Sequence, residues 1–132
     1  MEDEVIHLDA DLAVTLEDDR PGTLARALGS VSAAGINIDG YAEIGGVVHV
    51  LSEDRRRTHE CLEKAGFRIL QEQDVVVVSV ENEPGAAARV FQRIADSHIN
   101  IKYSYLATGN RLVIAADHRD AVVSALSGVV EP

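Results

Sequence analysis

Two short stretches of this 132-residue chain carry residue types that could hold a small ligand. In the first, Asp18-Asp19-Arg20-Pro21-Gly22-Thr23-Leu24 leads into apolar residues at helical spacing; in the second, Asn82-Glu83-Pro84-Gly85-Ala86 does the same. A Pro-Gly pair at that place has two readings. One is conformational: Pro fixes φ, Gly permits a tight turn, and a helix begins. The other is an anion cradle, because the first amides of a helix lack intrahelical acceptors and a residue without Cβ lets a carboxylate approach. Asn37 and Asn100 each sit in an Ile-Asn-Ile triplet. Such an Asn either bonds its own turn backbone or offers a donor and an acceptor to the two charged groups of an amino acid.

Other chemistries find less support. His7, His49, His59, His98 and His118 form no i,i+4 pair, and none joins Cys61 at a ligand spacing, so no metal site is expected. Cys61 is the single cysteine and falls on the inner side of a helical pattern, which makes it an inert core thiol and fits a reducing compartment. Glu81 and Glu83 flank the second loop without a second carboxylate in a catalytic relation, so neither catalytic residues nor a cofactor are expected. Arg55-Arg56-Arg57 reads as a solvated surface or a contact to an acidic neighbouring subunit. A net charge of −10 argues against nucleic acid and against anionic membranes, and Tyr41, Tyr103 and Tyr105 are too few for an RNA-stacking sheet. No apolar run approaches a membrane span, and the start Met1-Glu2-Asp3-Glu4 does not resemble a secretory signal; a soluble, cytoplasmic protein is expected.

The elements that must position these loops come in two copies. An offset of 63 residues lays Asp19-Arg20-Pro21-Gly22 on Asn82-Glu83-Pro84-Gly85, Ala25-Arg26 on Ala88-Arg89, and Ile36-Asn37-Ile38 on Ile99-Asn100-Ile101. Gly46, Val50, Asp54 and Arg56 then meet Gly109, Val113, Asp117 and Arg119 without a gap. Within one copy, Leu12, Val14 and Leu16 alternate as in a strand. Leu24, Ala27, Leu28 and Val31 make a helical stripe closed by Gly35. Ile36, Ile38 and Ile44 belong to a second strand, Gly45-Gly46 turns it into a third over 47–51, a polar helix spans 55–65, and a fourth strand covers 67–71. The second copy places strands over 75–80, 99–106 and 111–115 and helices around Val90-Phe91 and over 119–126. It ends before its last strand.

That order, βαββαβ twice, predicts an α+β fold: two tandem ferredoxin-like plaits with antiparallel sheets, the second truncated at its last strand. The modules are expected over 9–73 and 74–132, with 1–8 as an N-terminal extension.

The strand–loop–Pro-Gly–helix junction followed by Gly-Ile-Asn-Ile at 35–38, and again by His-Ile-Asn-Ile at 98–101, resembles the ACT domain family. The resemblance covers nearly the whole chain. It implies a regulatory protein that binds a small molecule, an amino acid above all, at an interface between modules and without catalysis; a homodimer is expected besides. The alternative is a ligand-free interaction or oligomerisation module. On the ligand reading, Asp18, Asp19, Arg20, Pro21, Gly22, Thr23 and Leu24 face a strand carrying Asn37 or Asn100, and Asn82, Glu83, Gly85 and Ala86 form an equivalent, unequal second pocket. Gly22→Val is then expected to block the first pocket by bulk alone.

The truncation leaves the strand at 75–80 with an open, β-prone edge. Residues 4–8, among them Val5, Ile6 and Leu8, are expected to cover it, within the chain or across a dimer.

Overall fold

The computed structural model describes residues 5–17 and 20–130, so Asp18 and Asp19 of the first loop lie outside the described residues. The elements are β1 (Ile6–Thr15), α1 (Thr23–Ser32), β2 (Ile38–Ile44), β3 (Val47–Ser52), α2 (Arg55–Lys64), β4 (Arg68–Ser79), α3 (Ala86–Asp96), β5 (Ile101–Ala107), β6 (Arg111–Ala116) and α4 (Arg119–Val130). This is the α+β, ferredoxin-like arrangement that the repeat predicts. Two compact units divide the chain: Ala10–Gln73, and Met1–Asp9 together with Asp74–Pro132. Residues 5–9 thus group with the second half of the sequence. The strands expected at 67–71 and 75–80 are one element, β4, because Glu72-Gln73-Asp74 between them contains no Gly or Pro to break an extended chain.

In the Ala10–Gln73 unit the strand order is β2-β3-β1-β4. Leu12 lies opposite Val50 and Thr15 opposite Val47, while Tyr41 and Ile44 of β2 face the same two β3 residues from the other side. Gly45 and Gly46 link β2 to β3 with φ of 58° and 85°, the doubly positive pattern that matches the strand twist. Period-two alternation sends Leu12, Val14, Val48 and Val50 to one face, where they pack with Ala27 and Val31 of α1 and Leu62 of α2. The Asp54 carboxylate caps α2 by accepting from the Arg57 amide at 3.1 Å. The arginine run that follows is tied down locally, Arg55 to Glu72 at 3.2 Å and Arg56 to Glu60 at 3.2 Å. Both pairs are well exposed, so they contribute little stability.

The other unit repeats the plan with the order β1-β4-β6-β5. Val76 and Val78 of β4 sit opposite Ile114 and Leu112 of β6, and the four side chains pack with Val90 and Ile94 of α3 and Val122 and Leu126 of α4. Val75, Val77, Val113 and Ala115 on the opposite face are fully buried too, which accounts for the unbroken valine run in a strand. Among the described residues no strand follows α4. The start of β1 stands in its place: the Val5 carbonyl accepts from the Ser79 amide at 2.8 Å, Ile6 packs on the core, and Arg119 Nη1 donates to the Asp9 carbonyl at 3.0 Å. The open edge is covered within the chain.

One copy of the repeat is strained where the other is not. Gly35, just beyond α1, has φ of 77°; its counterpart beyond α3 is His98, with φ of 59°. The left-handed region costs a residue with a Cβ about 1 kcal/mol or more. His98→Gly is therefore expected to stabilise the protein by about 0.5–1 kcal/mol, read as a higher melting temperature. An unchanged or lower value would show that the imidazole compensates for the strain.

Candidate ligand-binding site

Each unit holds a cavity where the first strand of its module turns into a helix. In the Ala10–Gln73 unit the strand register dictates the walls. Since Thr15 pairs with Val47, the loop leaving β1 emerges beside the β2–β3 turn. The Leu16 amide donates to the Gly46 carbonyl at 2.6 Å, and the Glu43 carboxylate accepts from the Gly46 amide at 2.9 Å. A cavity of about 330 Å3 lies between Arg20, Gly22, Thr23 and Leu24 on one side and Glu43 and Gly46 on the other. Pro21 lines a neighbouring hollow of about 320 Å3.

The polar groups of this loop are already engaged. The Thr23 hydroxyl and amide both donate to the Arg20 carbonyl, at 2.9 and 3.2 Å. Arg26, one turn into α1, donates to the Ala65 carbonyl at 3.1 Å and lies over the Phe67 ring with its guanidinium carbon 4.4 Å from the ring centre.

In the other unit, β4 pairs with β6 from Val76 to Ser79, and the Val80 amide donates to the Asn110 carbonyl at 3.0 Å, so the loop again emerges beside the hairpin turn. Its cavity, about 280 Å3, is near the small end of ligand sites. Val5, Val80, Ala86 and Val90 give it apolar walls; Glu81 and Arg89 supply opposite charges. Gly85 caps α3 with φ of 86°, and a Cβ placed there would stand 3.2 Å from Arg89 Nη1, so the guanidinium folds back over the helix start. Arg89 makes no side-chain hydrogen bond or ion pair among the described residues. Its repeat counterpart, Arg26, is committed to Phe67 and Ala65. The position of Phe67 corresponds to Val130 in the second copy, an aliphatic residue that offers no ring.

Several residues expected at the site are elsewhere. Asn37 lies at the opposite end of β2 from the loop, its amide donating to Glu53 Oε1 and its Nδ2 to Asp39 Oδ1, each at 2.8 Å. Asn100 is exposed just before β5, again at the end remote from the loop. Neither asparagine faces the cavity of its own unit; the extended strand between them and the hairpin turn sets that separation. Asn82, Glu83 and Gly85 are exposed in the second loop, and of the residues proposed there Ala86 alone lines the cavity. The sequence reading missed Val5, Glu81 and Arg89, although the match of Ala25-Arg26 to Ala88-Arg89 already marked an arginine at a fixed place after each Pro-Gly.

Gly22 also behaves differently from the expectation. Gly22 lines the cavity, and a Cβ there would meet nothing within 4 Å, so no packed neighbour resists added bulk and the cost lies in the backbone. With φ of 93° the backbone is what a β-branched residue cannot adopt cheaply. Gly22→Val is therefore expected to destabilise by about 2 kcal/mol, seen as a fall in melting temperature of roughly 5–10 °C. A stable variant would contradict the left-handed cap.

Two plait units, each with a cavity at its Pro-Gly helix start, define the class to which this molecule belongs, that of paired α+β plait modules. The sequence profile of the ACT domain pair matches residues 10–125, and the chain belongs to that family. A search of curated protein sequences gave no match. Among solved structures, the fold is similar to protein BT0572 from Bacteroides thetaiotaomicron, at 22% identity and a TM-score of 0.71, covering 95% of this chain and 89% of that one. It is similar to the regulatory subunit of aspartate kinase from Thermus thermophilus in its ligand-free form, at 20% identity and a TM-score of 0.61, covering 96% and 97%. The aspartokinase III of E. coli in complex with lysine and aspartate also matches, at 16% identity and a TM-score of 0.62, over 96% of this chain and 33% of that one. Among the described residues no group of three or more His, Cys, Asp and Glu is placed to hold a metal ion, and no helix is long and apolar enough to cross a membrane.

Proposed function

We propose that this protein is a regulatory module that binds an amino acid with an aliphatic side chain in the cavity of its second unit. The observation that carries the reading is Arg89. It is an uncommitted guanidinium at the lip of an apolar cavity, over the start of a helix whose first amides lack intrahelical acceptors. An α-carboxylate meets Arg89 and those amides, the α-ammonium meets Glu81, and the side chain lies against Val5, Val80, Ala86 and Val90. Leucine, isoleucine and valine fit that division of charge and volume. Among the solved structures of similar fold, one is named as the regulatory subunit of aspartate kinase and another as aspartokinase III in complex with lysine and aspartate, which supports an amino acid as the ligand class.

In this reading the first unit, whose Arg26 is spent on Phe67, binds weakly or serves to hold the assembly. The protein works in the cytoplasm as a homodimer, without a cofactor and without catalysing a reaction. Exposed Tyr41 and Ile44 on the edge strand β2, and Leu106 on the edge strand β5, favour a second role in contacts with other chains.

A thermal-shift screen of the twenty amino acids tests the ligand class. A ligand at a hundred times its Kd stabilises by about 2.7 kcal/mol, so leucine, isoleucine or valine is expected to raise the melting temperature by roughly 10 °C. A screen in which no amino acid shifts the transition would favour the interaction role alone.

A further inference from the structure

We propose that Ala86 sets the size of the side chain that the second unit's cavity accepts, which makes it a specificity-determining residue for the ligand. The inference rests on reading that cavity as an amino-acid site, and adds to it a selection among aliphatic side chains.

The repeat lays Ala86 on Thr23, and each residue opens its helix, α3 in one unit and α1 in the other. The backbone at the two places is alike. Gly85 and Gly22 precede them with φ of 86° and 93°. The Ala86 amide donates to the Glu83 carbonyl and the Thr23 amide to the Arg20 carbonyl, both at 3.2 Å. Both residues are buried, and both line the cavity of their own unit. The side chains differ. Thr23 turns its hydroxyl onto the Arg20 carbonyl at 2.9 Å, and it carries a methyl besides. Ala86 has neither group. The turn of the second copy thus forms with nothing beyond Cβ, and the smaller residue leaves room on the cavity side.

That room lies at the inner end of the cavity. Glu81 and Arg89 are exposed, whereas Ala86 and Val90 are 7% and 2% exposed, so the charged groups stand at the mouth and the two small apolar residues at the floor. Ala86 and Val90 are one turn apart on the same face of α3, and Arg89 folds back over Gly85 from that turn. A ligand held at the mouth by its α-carboxylate and α-ammonium therefore directs its side chain towards Ala86 and Val90. How far the side chain reaches depends on how far those walls stand back. Val90 belongs to the core that contains Val78 and Ile114, so its place is fixed by packing. Ala86 is the wall whose depth one methyl group decides. A hydrophobic pocket discriminates one methylene by about 10–200-fold, so bulk added at this position shifts the preference between leucine and valine.

Titration calorimetry of the full chain with L-leucine and with L-valine reads that preference. Ala86→Thr gives the second copy the residue that the first copy already carries in the same turn, so the variant is expected to fold. It is expected to weaken L-leucine about 20-fold and L-valine less, so that the ratio of leucine to valine affinity falls at least about fivefold. Ala86→Val has a similar shape without the hydroxyl and is expected to lower the ratio to the same extent; it carries the test alone if the Thr variant folds poorly. A ratio unchanged in the folded variants, whether both ligands weaken equally or neither does, would overturn the role of Ala86 and leave the site standing on its dependence on Arg89. A fall in the ratio with Thr but not with Val would assign the effect to the hydroxyl and overturn the size limit as well. Failure of leucine, isoleucine and valine alike to bind the parent chain would overturn both the size limit and the site.

Discussion

Arg89→Ala is expected to weaken L-leucine binding by about 30–100-fold, while Arg26→Ala leaves it within about twofold. The two arginines occupy equivalent places in the repeat and differ in what they touch. Arg26 is held by the Ala65 carbonyl and the Phe67 ring, so it has little freedom to meet a ligand. Arg89 lines the second cavity and folds over Gly85. A hydrogen bond to a charged group contributes roughly 1.5–3 kcal/mol, and every 1.4 kcal/mol is a factor of ten in affinity. Arg89→Lys keeps the charge and loses the planar fork, so about a tenfold loss is expected. Arg89 is an exposed side chain, and its removal should leave stability within about 0.5 kcal/mol. Titration calorimetry on the variants reads the effect. Equal losses for Arg26→Ala and Arg89→Ala would show that the asymmetry between the units does not govern binding.

The second large effect concerns the N-terminus. Deleting residues 1–8 is expected to destabilise the second unit by roughly 3–5 kcal/mol, from the lost burial of Ile6 and the lost strand hydrogen bonds. It also leaves residues 75–79 as an open edge rich in valine, a template for pairing with other chains. The shortened protein is expected to form larger species in light scattering and to melt well below the parent. Retention of the parent's mass and melting temperature would mean that the segment is dispensable and that Val5 and Ile6 contribute nothing to the unit.

The fold was legible because its signals are periodic and occur twice. The gapless offset carried the element order, and the valine and leucine alternation of β1, β3 and β6 carried the core faces. Truncation of the second copy pointed to an edge in need of cover, and the apolar Val5-Ile6 segment was the available cover. The site was less legible. Asn37 and Asn100 attracted attention through their place beside the Ile residues, yet which end of β2 or β5 meets the loop depends on hairpin register, a long-range property. The register sets Glu43 and Gly46 beside the first loop and leaves Asn37 with Asp39 and Glu53. Arg26 and Arg89 look interchangeable in the repeat; what separates them is Phe67, which has no aromatic counterpart in the second copy. Val5 joins the second cavity through the packing of an extension that no repeat position describes.

An aliphatic amino acid in the second unit's cavity is the proposal on which the other expected binding results depend. An NMR titration of the isotope-labelled full chain with L-leucine tests it most directly. Saturable shifts are expected at the amides of Val5, Val80, Glu81 and the first turn of α3 through Val90, with the amides of Arg20, Gly22 and Thr23 unmoved. Shifts confined to the loop around Gly22, or a spectrum unchanged at saturating L-leucine, would contradict the assignment.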